Sequence, residues 1–438
     1  MGPLQRAVPF VWMWALGVAT ASSCLAGPMD RSGAAAGQTS GTPETNQANS
    51  AFRAGVQAQV KGDMAAAQLQ FEAALKVNPR HVPSLIGLAG VAQSRGALDQ
   101  AAARLQQAQD VAPSAPEVHL ALGRLALSRR DPAAAEQAFR KARELAPKRI
   151  PPLLELGDLY LRTDGRGAEA VRAYSDAVAL NNNNGFAQYG LGVAAAATGQ
   201  RDLALRALER AATLVPNDSA PLRAIGRLQL EANALAPALA AFDRGLARQP
   251  KFLPLMLDRA DVLARQARWK DAAAQLTAAD AAAPRSAEIT VKRADVEQGA
   301  ERWDTAEAFY MTALAIDPKN AVAFNNLAWM TLQRKGDSTK AVAWARQAVA
   351  LSPRSSPFHD TLGWAERAAG DLNAARASLQ RAIDIEPNVA GYHLHLGTVL
   401  AEAKQTLQAK AALQRAVALN PPAAQLALAQ RLLRDLPQ

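Results

Sequence analysis

Proline returns along this chain at a nearly fixed interval. It stands at Pro79, Pro113 and Pro147, then at Pro216, Pro250, Pro284 and Pro318, and again at Pro353, Pro387 and Pro421. The steps are 34 residues, apart from one of 69 after Pro147 and one of 35 after Pro318. Each proline ends an apolar pattern of helical period, because proline cannot donate a helical hydrogen bond. The step of 69 resolves into 35 and 34 with Asn182 as the stop, since asparagine also accepts turn geometry. Eleven stops therefore divide residues 48–421 into eleven units. One unit has room for two helices of about 13 residues and two short turns.

Small residues fix how those helices pair. Position 8 of the first helix is Gly or Ala in every unit, from Gly55, Ala89 and Gly123 to Gly363 and Gly397. The second helix repeats alanine from Ala67 and Ala101 to Ala409, with a small residue seven places later, from Ala74 to Ala416. Helices crossing at the short end of the roughly 8–10 Å range leave no space there for a branched side chain. Phe71, Leu105, Phe139, Tyr174, Phe242 and Tyr310 fill the space between crossings, and Ala345 is the thin member of that series. Gly62, Gly96, Gly199 and Gly370 fall between the two helices of their units and predict left-handed turns. Asp131 and Pro132 read as an N-cap and first helical residue. The extra residue of each long unit falls in a turn, "RTDGRG" (162–167) or "RKGDS" (334–338).

This pattern of small positions, second-helix aromatics or leucines and closing prolines resembles the tetratricopeptide repeat (TPR) family. The resemblance implies an all-α fold, a right-handed superhelical solenoid of about eleven TPR helix hairpins with a concave groove lined by the first helices. The solenoid takes 48–421; residues 422–438 form a capping helix and tail, carried by the amphipathic stretch 423–436.

Ahead of the repeats, residues 1–23 read as a signal peptide: Arg6, an apolar run over 8–21, then small residues. The run is short for a membrane span. Cys24 is the only cysteine, so no intrachain disulfide forms. "ASSC" (21–24) resembles the lipobox of bacterial lipoproteins, with Ala21 where leucine is usual. That resemblance implies lipidation of Cys24, and Leu25, in place of an aspartate, implies the periplasmic face of the outer membrane. Cleavage after Ala21 or Ala26, giving a soluble periplasmic protein, and an uncleaved anchor are the other readings. Residues 24–47 read as the acylated cysteine and a flexible tether with a reach of about 25–30 Å.

The net charge is +10. Bases are interspersed with acids along the chain instead of forming one block, as on a solvated exterior; an anionic partner is the sharper reading. The five histidines include one close pair, His393 and His395, which point to different sides of a helix and cannot share a metal. All five read as solvated or groove residues. The sequence has no H-E-x-x-H, phosphate loop or nucleophile elbow, and nothing outside the solenoid is long enough for a catalytic domain. The expectation is a protein that is not an enzyme and binds no cofactor or metal.

The family pattern implies that first-helix positions 2, 5, 9, 12 and 13 face the groove. These include Phe52, Phe186, Tyr189, Arg223 and Arg227, then Asn325, Trp329, Asp360 and Trp364. Such residues either pack against neighbouring first helices or, for the tryptophan pair with its Asn and Asp, grip a peptide. The clamp that reads chaperone tails is absent: Asn326 fits one position, but Val291, Asp295, Pro357 and Thr361 occupy others. "NNLAWMTLQRKGD" (325–337) and "HDTLGWAERAAGD" (359–371) resemble the C-terminal repeats of bacterial envelope proteins, including those encoded with exosortase and exopolysaccharide systems. The implied function is a non-catalytic protein–protein interaction scaffold of the cell envelope. Its partners would be an envelope protein or peptide segment in the groove and the membrane through the N-terminal lipid, with no nucleic acid expected. A pilus or secretin assembly lipoprotein, or a groove for an anionic glycan, are the alternatives.

Overall fold

The structure, a computed structural model, describes residues 43–437; Cys24, the leader and most of the tether lie outside them. The described residues form 23 helices and no strand. They fall into two compact bodies, 43–228 and 229–437.

The first body holds α1 (Pro43–Val60), α2 (Met64–Val77), α3 (Val82–Ser94), α4 (Leu98–Val111), α5 (Pro116–Ser128) and α6 (Pro132–Leu145). It continues through α7 (Ile150–Leu161), α8 (Gly167–Leu180), α9 (Gly185–Ala197), α10 (Arg201–Leu214) and most of α11 (Ala220–Glu231). The second holds α12 (Leu235–Arg248), α13 (Leu253–Arg265), α14 (Trp269–Ala282), α15 (Ala287–Gly299), α16 (Trp303–Ile316) and α17 (Ala321–Gln333). It ends with α18 (Ser338–Leu351), α19 (Ser356–Ala368), α20 (Leu372–Ile385), α21 (Ala390–Glu402), α22 (Thr406–Ala418) and α23 (Ala423–Asp435). Helix α1 starts at Pro43, so residues 43–47, assigned to the tether from sequence, are helical.

Odd-numbered helices are the first helices of the units. Within each body first helices pack on the second helices that follow them, as α1 on α2 and α19 on α20, and first helices of neighbouring units touch, as α3 and α5 or α17 and α19. The alanine seam lies at the crossings: Ala67, Ala101, Ala135, Ala272, Ala306 and Ala409 are 0% exposed. Glycine is required where a ring lies flat on the facing helix; a Cβ on Gly157 would come within 2.7 Å of Tyr174 Cζ, and Gly190 is closer still to the same ring. Ala345 is buried, and the neighbouring Trp344 packs against its cluster. Helix α23 lays Ala429 against Leu394, Leu413 and Ala416, covering the last hairpin.

The turns between paired helices repeat one geometry. Gly62, Gly96, Gly165, Gly199 and Gly370 are left-handed, with φ between 74° and 87°. Arg130, Asn233, Ala267, Glu301, Lys335 and Lys404 hold the same place in the other units with φ of 52–61°. Hairpin packing imposes this conformation whether or not the residue prefers it. Asp131 caps α6 by accepting from the Ala134 N–H at 3.0 Å.

Candidate functional site

Contacts between successive first helices build the first-helix face, and two registers recur in both bodies. Position 9 of one unit meets position 6 of the next, 31 residues on. Arg124 pairs with Glu155 in this way in the first body. In the second body Lys292 donates to both Asp261 oxygens at 2.8 and 2.7 Å, and Asn326 Nδ2 donates to Asp295 Oδ1 at 2.8 Å. Position 12 meets position 13 of the next unit, 35 residues on: Gln93 with Ser128, Gln298 with Gln333, and Arg367 with Glu402. Position 6, absent from the expected groove set, therefore carries half of the first register. Its charges look from sequence like part of a solvated face.

Two first-helix carboxylates are anchored from behind. The Tyr310 hydroxyl on α16 donates to Asp295 Oδ1 at 2.5 Å, and the Tyr174 hydroxyl on α8 donates to Asp158. Both aspartates occupy position 9, and burial pushes both above the usual carboxylate range. Burial likewise raises Asp261 against the pull of Lys292. Burial would lower Lys292, but the Asp261 charge and hydrogen bonds hold it above the ordinary lysine value. The pair is an internal strut, costly to break from one side.

The expected groove residues separate into two groups. Phe52 belongs to the first core: its ring lies 5.7 Å from Phe71 and 5.6 Å from His81. Asp360, 5% exposed, holds His395 Nδ1 at 2.7 Å. Trp364 stacks on the same imidazole at 4.3 Å, with the Arg367 guanidinium 4.4 Å from the indole centroid. Asp360 and Trp364 are thus engaged by α21. Phe186, by contrast, is 49% exposed at the start of α9. Burial, aided by the Asp218 charge, raises the Tyr189 hydroxyl one turn later, against the pull of Arg223 and Arg227. Tyr189, Arg223 and Arg227 share one neighbourhood in the first body.

Asn325 and Trp329 stand one turn apart on α17, both half-buried. The Asn325 amide nitrogen donates to Asn326 Oδ1 at 3.2 Å, whereas its oxygen is buried with no hydrogen-bond partner. A buried acceptor without a donor is uncommon in native proteins.

The histidines correct the sequence reading. His81, His119, His359 and His393 are buried rather than solvated. His119, His359 and His393 place Nε2 2.7–2.9 Å from the carbonyl of the proline six residues earlier: Pro113, Pro353 and Pro387. Gln188 does the same for Asn182 at 3.2 Å. These side chains tie the closing residue to the helix that follows it. His81 instead bridges Ser84 and Asn49, and burial lowers its pKa. Among the described residues no group of three or more His, Cys, Asp and Glu is placed to hold a metal, and no helix is long and apolar enough to cross a membrane.

No curated protein matches the chain. The structure of yeast Tom70 aligns over 89% of this chain and 95% of that one, at 14% identity and a TM-score of 0.52. The APC/C hetero-tetramer Cut9–Hcn1 aligns over 89% and 96%, at 13% identity and a TM-score of 0.48. At such identity the Tom70 likeness shows the fold alone. Family models described as tetratricopeptide repeat match residues 61–125, 154–221, 257–321, 309–343 and 361–424. Together these matches take in more than half of the sequence, and the chain belongs to the tetratricopeptide repeat family.

Proposed function

We propose that this repeat protein is a non-catalytic scaffold of the bacterial cell envelope that holds a peptide segment of a partner protein against the first-helix face of its second body. Tetratricopeptide solenoids bind proteins and peptides, and that much follows from the family. The observation that supports the site is the pairing on α17 of a half-buried indole, Trp329, with the unpartnered acceptor of Asn325. An extended peptide offers both complements: a backbone N–H for the amide and an apolar side chain for the ring. The envelope assignment rests on sequence, on the leader ending at Cys24 and the envelope-type repeats from 325 onward. Export or exopolysaccharide assembly of the exosortase type is the preferred setting.

A photo-crosslinking residue at position 329 tests the site in cells. The expected result is one dominant crosslinked envelope protein, lost on Asn325→Ala while far-UV circular dichroism is unchanged. Capture that survives this change removes the site. Intact-mass analysis of membrane-extracted protein tests the leader independently. An acylated chain starting at Cys24 supports the envelope reading, and one starting at Ser22 or Gly27 removes the lipid.

A further inference from the structure

Between α20 and α22 the second body carries an open slot of about 380 Å³, floored by Ile383, Leu396 and Leu400. The matching place two units earlier, between α16 and α18, carries a ring. There Trp344 packs against the cluster containing Leu327, as does Leu314. Counted from the alanine seam, Trp344 is the counterpart of Ala412, Leu314 of Ile383 and Leu327 of Leu396. Ala412 lies in the same cluster as Ile383, Leu396 and Leu400, so its methyl sits where an indole would close the gap. The slot thus lies where another unit of this fold places an indole of its own.

The rim of the slot has one sign of charge. Arg376 and Arg415 line it, and no carboxylate does. Arg415 bonds only the neutral Asn388, at 2.9 Å, and Arg376 has no hydrogen-bond or ion-pair partner among the described residues. Gln405, also lining the slot, has a buried side-chain oxygen with no donor. An occupant that satisfies all three features has a bulky apolar side chain, flanking negative charge and a hydrogen-bond donor.

We infer that this slot is a second docking site, distinct from the first-helix face, for an acidic protein segment carrying one aromatic side chain. The ring enters against Leu396, the counterpart of Leu327 in the cluster on which Trp344 packs. The flanking carboxylates meet Arg376 and Arg415, and a backbone N–H reaches Gln405 Oε1. Charge complementarity selects a protein segment of this kind over a basic one, as like charges at the rim would repel.

The test uses the full chain and a fluorescein-labelled probe, the acetylated pentapeptide Glu-Glu-Trp-Glu-Glu, read by anisotropy. Two control peptides replace the central Trp with Ala or the four Glu with Lys. The wild-type chain is expected to bind the probe at least about tenfold more tightly than either control. Ala412→Trp fills the slot from within, with the indole that Trp344 supplies in its own unit. It should weaken binding about tenfold or more without lowering the thermal midpoint. The double variant Arg376→Glu, Arg415→Glu should turn the preference towards the Lys-flanked peptide. Full binding by Ala412→Trp, equal binding of the Ala-centred peptide, or preferential uptake of oleate or anionic vesicles in competition with the probe would each overturn the inference. Because Asn325 and Trp329 are untouched, crosslinking at position 329 reports separately on the first-helix site.

Discussion

Trp364 lies on His395, with ring centroids 4.3 Å apart and planes tilted by 27°. Asp360, one turn before the indole, holds the same imidazole at 2.7 Å. Trp329 occupies the matching position one unit earlier, but Thr361 stands where a ring partner corresponding to His395 would be. The two tryptophans therefore have different roles despite their identical register. Trp364→Ala should cost about 2–3 kcal/mol, because it removes packing between α19 and α21. Trp329→Ala should cost less than about 1 kcal/mol, since that ring is held by no such stack. Urea melts, with hydrogen exchange followed in α21, measure the difference. Equal losses would make Trp329 structural and remove it from the partner site.

The turn residues offer a stabilising change. Ala267 is left-handed at φ 57°, where Gly62 and Gly199 stand in their own units at 81° and 74°. An L-residue with a Cβ is disfavoured there by roughly 1–2 kcal/mol, partly offset by the greater entropy glycine loses on folding. Ala267→Gly should raise stability by about 0.5–1 kcal/mol. Gly199→Ala should lower it by a similar amount. A fall in the denaturation midpoint of Ala267→Gly would show that this turn relaxes to another conformation.

Ala238 and Ala234 separate the seam from its turn. Ala238 is 0% exposed, in a cluster with Leu230, Phe242, Leu255 and Val262. Ala238→Leu should destabilise by about 1–3 kcal/mol through overpacking. Ala234 is the N-cap of α12 and makes no side-chain cap bond. Asp63, Asp131 and Asp371 fill the same place in other units and accept from the N–H groups of Ala66, Ala134 and Ala374. Ala234→Asp should therefore stabilise by about 0.5–1 kcal/mol. Equal midpoints for the two variants would mean that the crossing does not lie at Ala238.

Much of the fold is written in the sequence because the strongest signals are steric. Closing prolines, the alanine seam and the turn glycines each exclude alternatives, and they recur often enough to count. The left-handed turns at Arg130 and Glu301 give no such signal, since those residues adopt the conformation under the pull of the surrounding hairpin. The candidate site was less legible. Asp261, Lys292 and Asp295 look like solvated charges until the 31-residue register between first helices joins them. Phe52 and Trp364 are correctly placed on first helices, but their partners, Phe71 and His395, are 19 and 31 residues away, and sequence alone does not show which rings meet. His119, His359 and His393 bond backbone carbonyls, which carry no residue-type signal at all.

Glu136 predicts how acid acts on the first body. Its carboxylate takes Arg166 at 2.6 and 3.1 Å, Arg140 at 2.7 Å and the Tyr160 hydroxyl at 3.0 Å. The Arg166 guanidinium also lies 4.1 Å from the Tyr160 ring centroid, so α6, α7 and the start of α8 meet at one carboxylate. The Arg166 hydrogen bonds, opposed by burial and aided by Tyr160 and the arginine charges, lower Glu136 from 4.5 to about 2. A carboxylate depressed on folding stabilises above its unfolded value and loses that contribution as pH falls towards the folded one. The window is therefore pH 4.5 down to about 2. Its ceiling is about 3 kcal/mol by linkage. Arg140 is 59% exposed, so solvent screening reduces the expected share to about 1–2 kcal/mol. Glu136→Gln should lower stability by that amount at neutral pH and flatten the acid limb of the pH–stability curve across the same window. Parallel curves for the two proteins below pH 4.5 would show that the carboxylate is not the group whose protonation loosens this part of the chain.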